Sequence, residues 1–246
     1  MSITAGPEIE ELRERVLEQN LRLPAEGLVT LTWGNVSGRS DDGELVAIKP
    51  SGVAYDTMTA DDIVVLTLDG EVVAGDKRPS TDTPSHLALY RAFDGVNGIV
   101  HVHSAHATAF AQARRPLPCY GTTHADHFNG PVPVTRPLTE AEVAEAYEAN
   151  TGTVVIDHFA EAGIDPLHVP GVLVAGHAPF VWGPSVAKAV DNAVAIEQIA
   201  RMAILTEQVA LHRDQVSARS APELEAHVLR VHHERKHGPA AYYGQG

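Results

Sequence analysis

The dipeptide Asp69-Gly70 stands between two short apolar runs, residues 63–68 and 71–73. Asp-Gly closes a two-residue turn whose twist suits antiparallel strands. Neighbouring strands in this part of the chain therefore run in opposite directions, which argues against a doubly wound parallel sheet. Further strand-like runs occupy residues 28–32, 44–48 and 98–103, and two more follow at 171–175 and 180–182. Helical patterns lie at both ends and between them. Residues 8–23 place Ile9, Leu12, Val16, Leu17 and Leu21 at helical spacing, and Pro24 and Gly27 end the pattern. Thr83-Pro84 opens a helix to about Phe93, with proline at the first helical position. Residues 105–115 form an Ala-rich helix without a breaker. A capping box, Thr139-Glu-Ala-Glu142, opens another that ends near Asn150. Residues 152–163 fit a strand or a helix, with Ala, Glu and the terminal Gly163 favouring a helix. The longest helix covers 184–212, and a last one covers roughly 221–236. Residues 116–138 hold five prolines and read as loops with a short strand. Strands concentrated early and helices throughout suit an α/β fold of three layers, α/β/α, around a mixed, mainly antiparallel sheet. No linker, repeat or low-complexity tract divides residues 1–246, so the pattern predicts one domain.

Charge narrows the partners. There are 18 Lys and Arg against 32 Asp and Glu, a net charge of −14. That field repels phosphate backbones and anionic lipid, so neither nucleic acid nor a membrane is expected. A small anion remains possible where a pocket is locally positive. Cys119 is the one cysteine, which removes intramolecular disulfides and Cys-based zinc sites. The first residues show no basic-then-apolar leader, and no stretch approaches the roughly 20 apolar residues of a membrane span. A reducing cytoplasm is the expected location.

Histidine is the outlier, with 14 residues, clustered at 101–106, 124–127 and 232–237. His101-Val-His103 closes an apolar strand pattern. In a strand, i and i+2 share a face about 6.6 Å apart along the axis, so two imidazoles there can converge on a cation. Two hydrogen-bonded polar-face histidines are the plainer alternative. His177 follows the apolar run Gly-Val-Leu-Val-Ala-Gly and is the best third ligand, although alone it reads as a surface turn residue. Three histidines with an open position suit a catalytic centre of the zinc type. Asp82, at the start of the 83–93 helix, is a further acidic candidate or simply a helix cap. The segment from His101 to His106 nearly matches the H-x-H-x-D-H pattern of metallo-β-lactamase-like hydrolases, but Ala105 replaces its Asp and the chain lacks a tandem β-sandwich.

Three donor-rich turns follow strands or precede helices: Trp33-Gly34-Asn35-Val-Ser37, Lys49-Pro-Ser51-Gly52 and Arg78-Pro-Ser80-Thr81-Asp82. Hydroxyls, backbone N–H groups, one Lys and a helix N-terminus are what a phosphate needs, although each turn alone is weak evidence. No Walker A, G-x-G-x-x-G, H-E-x-x-H or G-x-S-x-G pattern occurs. The run from Gly121 to His127 contains Asp126, either a general acid/base or part of a solvated loop. The end of the chain carries Tyr242-Tyr243, which suggests docking on a neighbouring subunit or packing on its own domain.

Taken in order, Thr-Leu-Thr-Trp-Gly-Asn-Val-Ser37, Lys-Pro-Ser-Gly52, Met-Thr-Ala-Asp-Asp62, Pro-Ser-Thr-Asp-Thr-Pro-Ser-His86, Gly-Ile-Val-His-Val-His-Ser104, Gly-Thr-Thr-His-Ala-Asp126, Pro-Gly-Val-Leu-Val174 and Lys-His-Gly…Ala-Tyr-Tyr-Gly-Gln245 resemble the class II aldolase/epimerase family over about residues 8–245. Within it the pattern is most similar to the pentulose-phosphate 4-epimerases. The resemblance implies a homotetramer with active sites at subunit interfaces. It implies a divalent metal held by His101, His103 and His177 with Asp82 as acidic neighbour. Zn²⁺ suits three histidines, and Mn²⁺ or Co²⁺ could support activity. It places substrate phosphate against Gly34, Asn35, Lys49, Ser51, Gly52, Ser80 and Thr81. It makes Asp126 and Tyr243 the acid/base pair, the tyrosine from an adjacent subunit, with His232 nearby. Thr81 stands where a second Ser is usual, keeping the hydroxyl, and Ala105 where a longer polar residue is common.

The implied activity interconverts L-ribulose 5-phosphate and D-xylulose 5-phosphate by metal-assisted retro-aldol cleavage and re-formation of the C3–C4 bond. The closest rival is an aldolase of the fuculose-phosphate type, which carries Glu where Asp82 stands. A second rival is a non-catalytic adducin-like module, which lacks the catalytic metal site.

Overall fold

The computed structural model describes residues 6–213, 221–239 and 241. Helix α1 (Pro7–Ala25) leads into strands β1 (Asn35–Arg39), β2 (Leu45–Ile48), β3 (Val64–Thr67) and β4 (Val72–Ala74). Helix α2 (Thr83–Ala92), strand β5 (Gly98–His101) and helices α3 (Ala105–Gln112), α4 (Thr122–Ala125) and α5 (Glu140–Ala162) follow. The series closes with β6 (Gly171–Leu173), β7 (Pro179–Gly183), α6 (Val186–Arg213) and α7 (Ala226–His237). Seven strands form one sheet in the order β4-β3-β2-β1-β5-β7-β6. All its strand pairs are antiparallel, in keeping with the expected mainly antiparallel sheet, and an isolated parallel bridge joins Val134 to Leu173 of β6. The Asp69-Gly70 turn joins β3 and β4 as expected, with Gly70 at φ +90°.

Alternation along each strand divides the core in two. Val36, Ala47, Val65, Val100 and Val181 meet α1, α3 and α6 on one face. Val46, Ile99, Val172, Phe180 and Trp182 meet α2 and α5 on the other, giving the three layers. There Trp182 is fully buried, packs on Phe93 and Phe159, and donates its indole N–H to the Pro166 carbonyl at 2.7 Å. Burying each such ring contributes about 1.5–3 kcal/mol.

Six local expectations change. Residues 28–32 are not a strand; Gly27 and Leu31 take positive φ and the segment is a loop. The central strand is instead β1, part of what the sequence suggested as a turn. Strand β5 stops at His101, leaving His103 beyond it. The polar run 121–127 is largely the short helix α4, and α5 runs on past Asn150, broken only at Ala146. The last helix starts at Ala226 rather than near 221. Among the described residues, no helix is long and apolar enough to cross a membrane.

Candidate active site

Antiparallel order brings the start of β1, the end of β5 and the start of β7 to one edge of the sheet. Asn35, His101 and Phe180 lie in register across these strands. The His101 ring stacks on Phe180 at 4.1 Å, and its Nδ1 donates to the Pro179 carbonyl at 3.0 Å, leaving Nε2 to face outward. His103 follows on the loop into α3, and His177 sits on the turn between β6 and β7. The three rings are 4.8–5.0 Å apart, and one nitrogen from each lies within 4.8 Å of the others. Burial lowers the pKa of all three histidines, that of His177 to about 4, so each offers a neutral lone pair at neutral pH. Three converging neutral imidazoles, one oriented by a backbone carbonyl, fit a divalent cation of the zinc type.

Asp82 lines the same cavity, of about 570 Å³. Its Oδ2 accepts from Asn35 Nδ2 at 2.6 Å and lies 3.4 Å from the Ser80 hydroxyl. Burial opposes its ionisation, but His101, His86 and the Asn35 bond outweigh that and hold its pKa below the usual value. The converging cluster itself contains the three histidines and not Asp82.

The other wall carries every residue expected at a phosphate: Gly34, Asn35, Lys49, Ser51, Gly52, Ser80 and Thr81. The turns are braced against each other. Ser51 N donates to the Arg78 carbonyl and Ser80 N to that of Lys49, at 2.9 and 3.0 Å. Tyr55 Oη lies 2.8 Å from the carbonyls of both Trp33 and Gly34. Gly34 is required as glycine: its φ is +75°, and a Cβ would stand 2.9 Å from the His101 carbonyl oxygen. Lys49 is buried, with Nζ donating to the Val53 carbonyl at 2.8 Å and lying over the Tyr55 ring. Its ammonium thus braces the 49–53 turn, and burial lowers its pKa.

Asp126 does not line this cavity. It follows α4 and is held by α7: Arg235 Nη2 donates to Oδ2 at 2.7 Å, His232 Nδ1 lies 3.0 Å from Oδ1, and Lys236 Nζ stands 3.7 Å away. His237 Nε2 donates to the Asp126 carbonyl at 3.0 Å. Burial raises the carboxyl's pKa, yet the hydrogen bonds from Arg235 and His232 and the charges of Lys236 and Arg235 outweigh it and keep it below the usual range. The structure therefore joins His232 to Asp126. Tyr243 lies outside the described residues.

Three neighbours of the site lie outside the set expected from the sequence. Tyr147 reaches His177, with Oη 3.3 Å from Nδ1. Glu197 of α6 accepts from the backbone N–H groups of His106 and Ala107 at 3.0 Å each and pairs with His106 Nδ1 at 2.6 Å; His106 thus does not join the cluster. His86 is buried one turn after Asp82, bonded through Ser37 to Tyr90. Its signal was available in the spacing 82, 86, 90 along one helix face. Glu197 has none, being ninety residues distant from its partners.

Residues 14–204 match the family model described as "Class II Aldolase and Adducin N-terminal domain". A curated relative, L-ribulose-5-phosphate 4-epimerase UlaF of Salmonella paratyphi B, is 48% identical over 239 residues, covering 96% of this chain and all of its own. Among solved structures, an L-fuculose 1-phosphate aldolase superposes with a TM-score of 0.72 at 23% identity, covering 96% of this chain and 99% of that one. YgbL of Klebsiella pneumoniae, described as a putative aldolase/epimerase/decarboxylase, gives 0.68 at 26% identity, covering 92% and 99%.

Proposed function

The chain belongs to the class II aldolase and adducin N-terminal domain family, and from that premise we propose that it is an L-ribulose-5-phosphate 4-epimerase. The observation that carries this reading is one cavity joining a three-histidine cluster to the Ser51-Gly52 and Ser80-Thr81 turns. Such a cavity takes a small molecule with metal-binding oxygens at one end and a phosphate at the other. Identity of 48% along the whole curated relative favours the epimerase over the aldolase, whose 23% supports the fold alone.

The chemistry follows from the substrate. Carbon 4 of L-ribulose 5-phosphate carries no acidic proton, because it is not adjacent to the ketone, so deprotonation cannot invert it. Breaking the C3–C4 bond can. A divalent cation, for which we favour Zn²⁺, held by His101, His103 and His177 beside Asp82 supplies Lewis acidity toward the enediolate charge. One acid/base group takes the C4 hydroxyl proton as the bond breaks, leaving the enediolate of dihydroxyacetone and glycolaldehyde phosphate. Gly34, Asn35, Ser51, Gly52, Ser80 and Thr81 hold the phosphate while the aldehyde turns its other face. The bond re-forms and the second group protonates the new hydroxyl, giving D-xylulose 5-phosphate. We assign these two roles to Asp126 and Tyr243, with His232 orienting Asp126. Because Asp126 faces α7 and not the cavity, the reading includes a homotetramer in which a neighbour supplies this pair.

The test is a product assay on the metal-loaded protein with L-ribulose 5-phosphate. D-Xylulose 5-phosphate without free glycolaldehyde phosphate is the expected result. Accumulating aldehyde would move the assignment to an aldolase.

A further inference from the structure

We propose that Tyr147 is a positioning residue for the metal ligand His177, an inference that rests on the metal-centre reading above. The argument starts from an interruption in α5. At Ala146 the backbone is extended, φ −163° and ψ 80°, although the helix runs on either side. An interruption of this kind leaves carbonyls without their helical partners. Here side chains serve the carbonyls of this stretch: Asn150 Nδ2 donates to the Glu142 carbonyl at 2.9 Å, and the Ser85 hydroxyl of α2 donates to that of Glu148. Thr151 Oγ1 donates to the Tyr147 carbonyl at 2.9 Å. The break is thus secured by three side chains from two helices.

What the break presents is the Tyr147 ring. Its centroid lies 6.0 Å from that of His177, and Oη is 3.3 Å from Nδ1. Tyr147 is 37% exposed, so core packing does not account for this placement. The two ligands compared explain the need. His101 is buried, stacked on Phe180 and bonded to a backbone carbonyl. His177 is half-buried on a turn after Gly176, whose φ is +74°.

The tautomer follows from the donor inventory. For Nε2 of His177 to present a lone pair to a cation, Nδ1 must carry the proton. That N–H then donates to the Tyr147 oxygen, fixing both ring orientation and tautomer, as the Pro179 carbonyl does for His101.

The test is Tyr147→Phe, which keeps the ring and removes the oxygen. Zn²⁺ affinity is measured on the full chain by competition with a chromophoric chelator, and the visible spectrum of the Co²⁺-loaded protein is recorded beside it. The expected result is a dissociation constant raised roughly 10- to 100-fold, the usual cost of losing a ligand's outer partner, with an altered Co²⁺ spectrum. Asn150→Ala, which loosens the break, should shift affinity the same way by less. Tyr120→Phe, the same deletion where the phenol bonds Glu207, should leave affinity and spectrum unchanged. Affinity within twofold of the unaltered chain and an unchanged spectrum for Tyr147→Phe would overturn the proposal, as would an equal effect of Tyr120→Phe. Failure of the unaltered chain to bind metal would overturn the metal-centre reading as well, which keeps the two failures apart.

Discussion

The histidine cluster and the Asp126 cluster are two polar centres built in opposite ways. The first rests on strand ends and the turns beside them, and its three imidazoles converge within 4.8 Å, with the Asp82 carboxylate lining the same cavity. The second rests on a four-residue helix and on α7, and its one carboxylate is saturated by Arg235, His232 and Lys236. An assembled set of neutral donors beside one carboxylate suits a cation. A carboxylate already paired on every side is a positioned group whose work lies elsewhere. On the proposed assembly, each chain therefore carries one half of two different sites, the rigid sheet holding metal and phosphate and the terminal helix holding the acid/base.

The largest expected effects break that comparison most directly. His103→Asn should lose metal and turnover together. Asp126→Asn should retain metal yet lower kcat by about 10²- to 10⁴-fold, the span of a general acid/base. Metal content measured by atomic absorption beside kcat separates the two. Mixing the two variants sharpens the result. If neighbours complete each other's sites, a random mixture of equal parts should recover about a quarter of the sites, because one chain's intact triad meets the other's intact Asp126. No recovery on mixing would place both halves in one chain.

A smaller effect follows from pH. His124, His127 and His233, around the α4–α7 contact, have pKa values lowered from 6.5 to about 4, in each case mainly by burial. The folded form binds these protons less tightly than the unfolded chain. Their contribution to stability is therefore complete above pH 6.5 and lost as pH falls toward about 4. Asp126, whose pKa is lowered, adds a further loss only as pH falls below the ordinary carboxylate value of 3.8. Thermal unfolding should show Tm falling between pH 6.5 and 4, with amide exchange rising first in α7. The histidine cluster is depressed in the same direction, and saturating metal, which binds only unprotonated imidazole, should add to its share of the slope and leave that of α4–α7 unchanged. A slope abolished by metal would show that the second region does not titrate as described.

How much of this was readable in the chain depended on whether a feature was local. The Asp69-Gly70 hairpin, Thr83-Pro84 at the start of α2 and the Thr139 capping box are short-range devices and stand where expected. The donor-rich turns line one cavity with His101, His103 and His177. The central strand was hidden because it carries polar residues where a strand's buried face is normally apolar. Ser37 is satisfied by His86 and Tyr90, and Gly38 leaves room for Val186 and Val16, whose methyls a Cβ would meet at 2.5 and 2.8 Å. Both reasons come from other parts of the chain. The run at 28–32 misled for the converse reason: its Leu, Val and Thr residues are strand-like, but Leu31 at φ +56° turns it away from any pairing. Tyr147 and Glu197 were illegible because one depends on a broken helix and the other on a helix ninety residues away.

The smallest expected effect concerns how the first region is kept rigid. Glu197 receives two backbone N–H groups at the start of α3, directly after the His103 loop, and does for that helix what a local cap does elsewhere. The charge also suits the positive end of the helix. Burial opposes its ionisation, yet these N–H bonds and His106 keep its pKa below the usual value. Glu197→Ala should therefore cost about 1–2 kcal/mol, in the range of a lost helix cap, read as a lowered midpoint in denaturant unfolding. Glu197→Gln, which retains an acceptor oxygen, should recover part of that loss. Because the cap touches the His103 loop and not Asp126, the Asp126 region should keep its amide protection in both variants. Equal loss of protection in α7 would mean that the two regions share one foundation, and the contrast between a rigid metal half and a separately held acid/base half would fail.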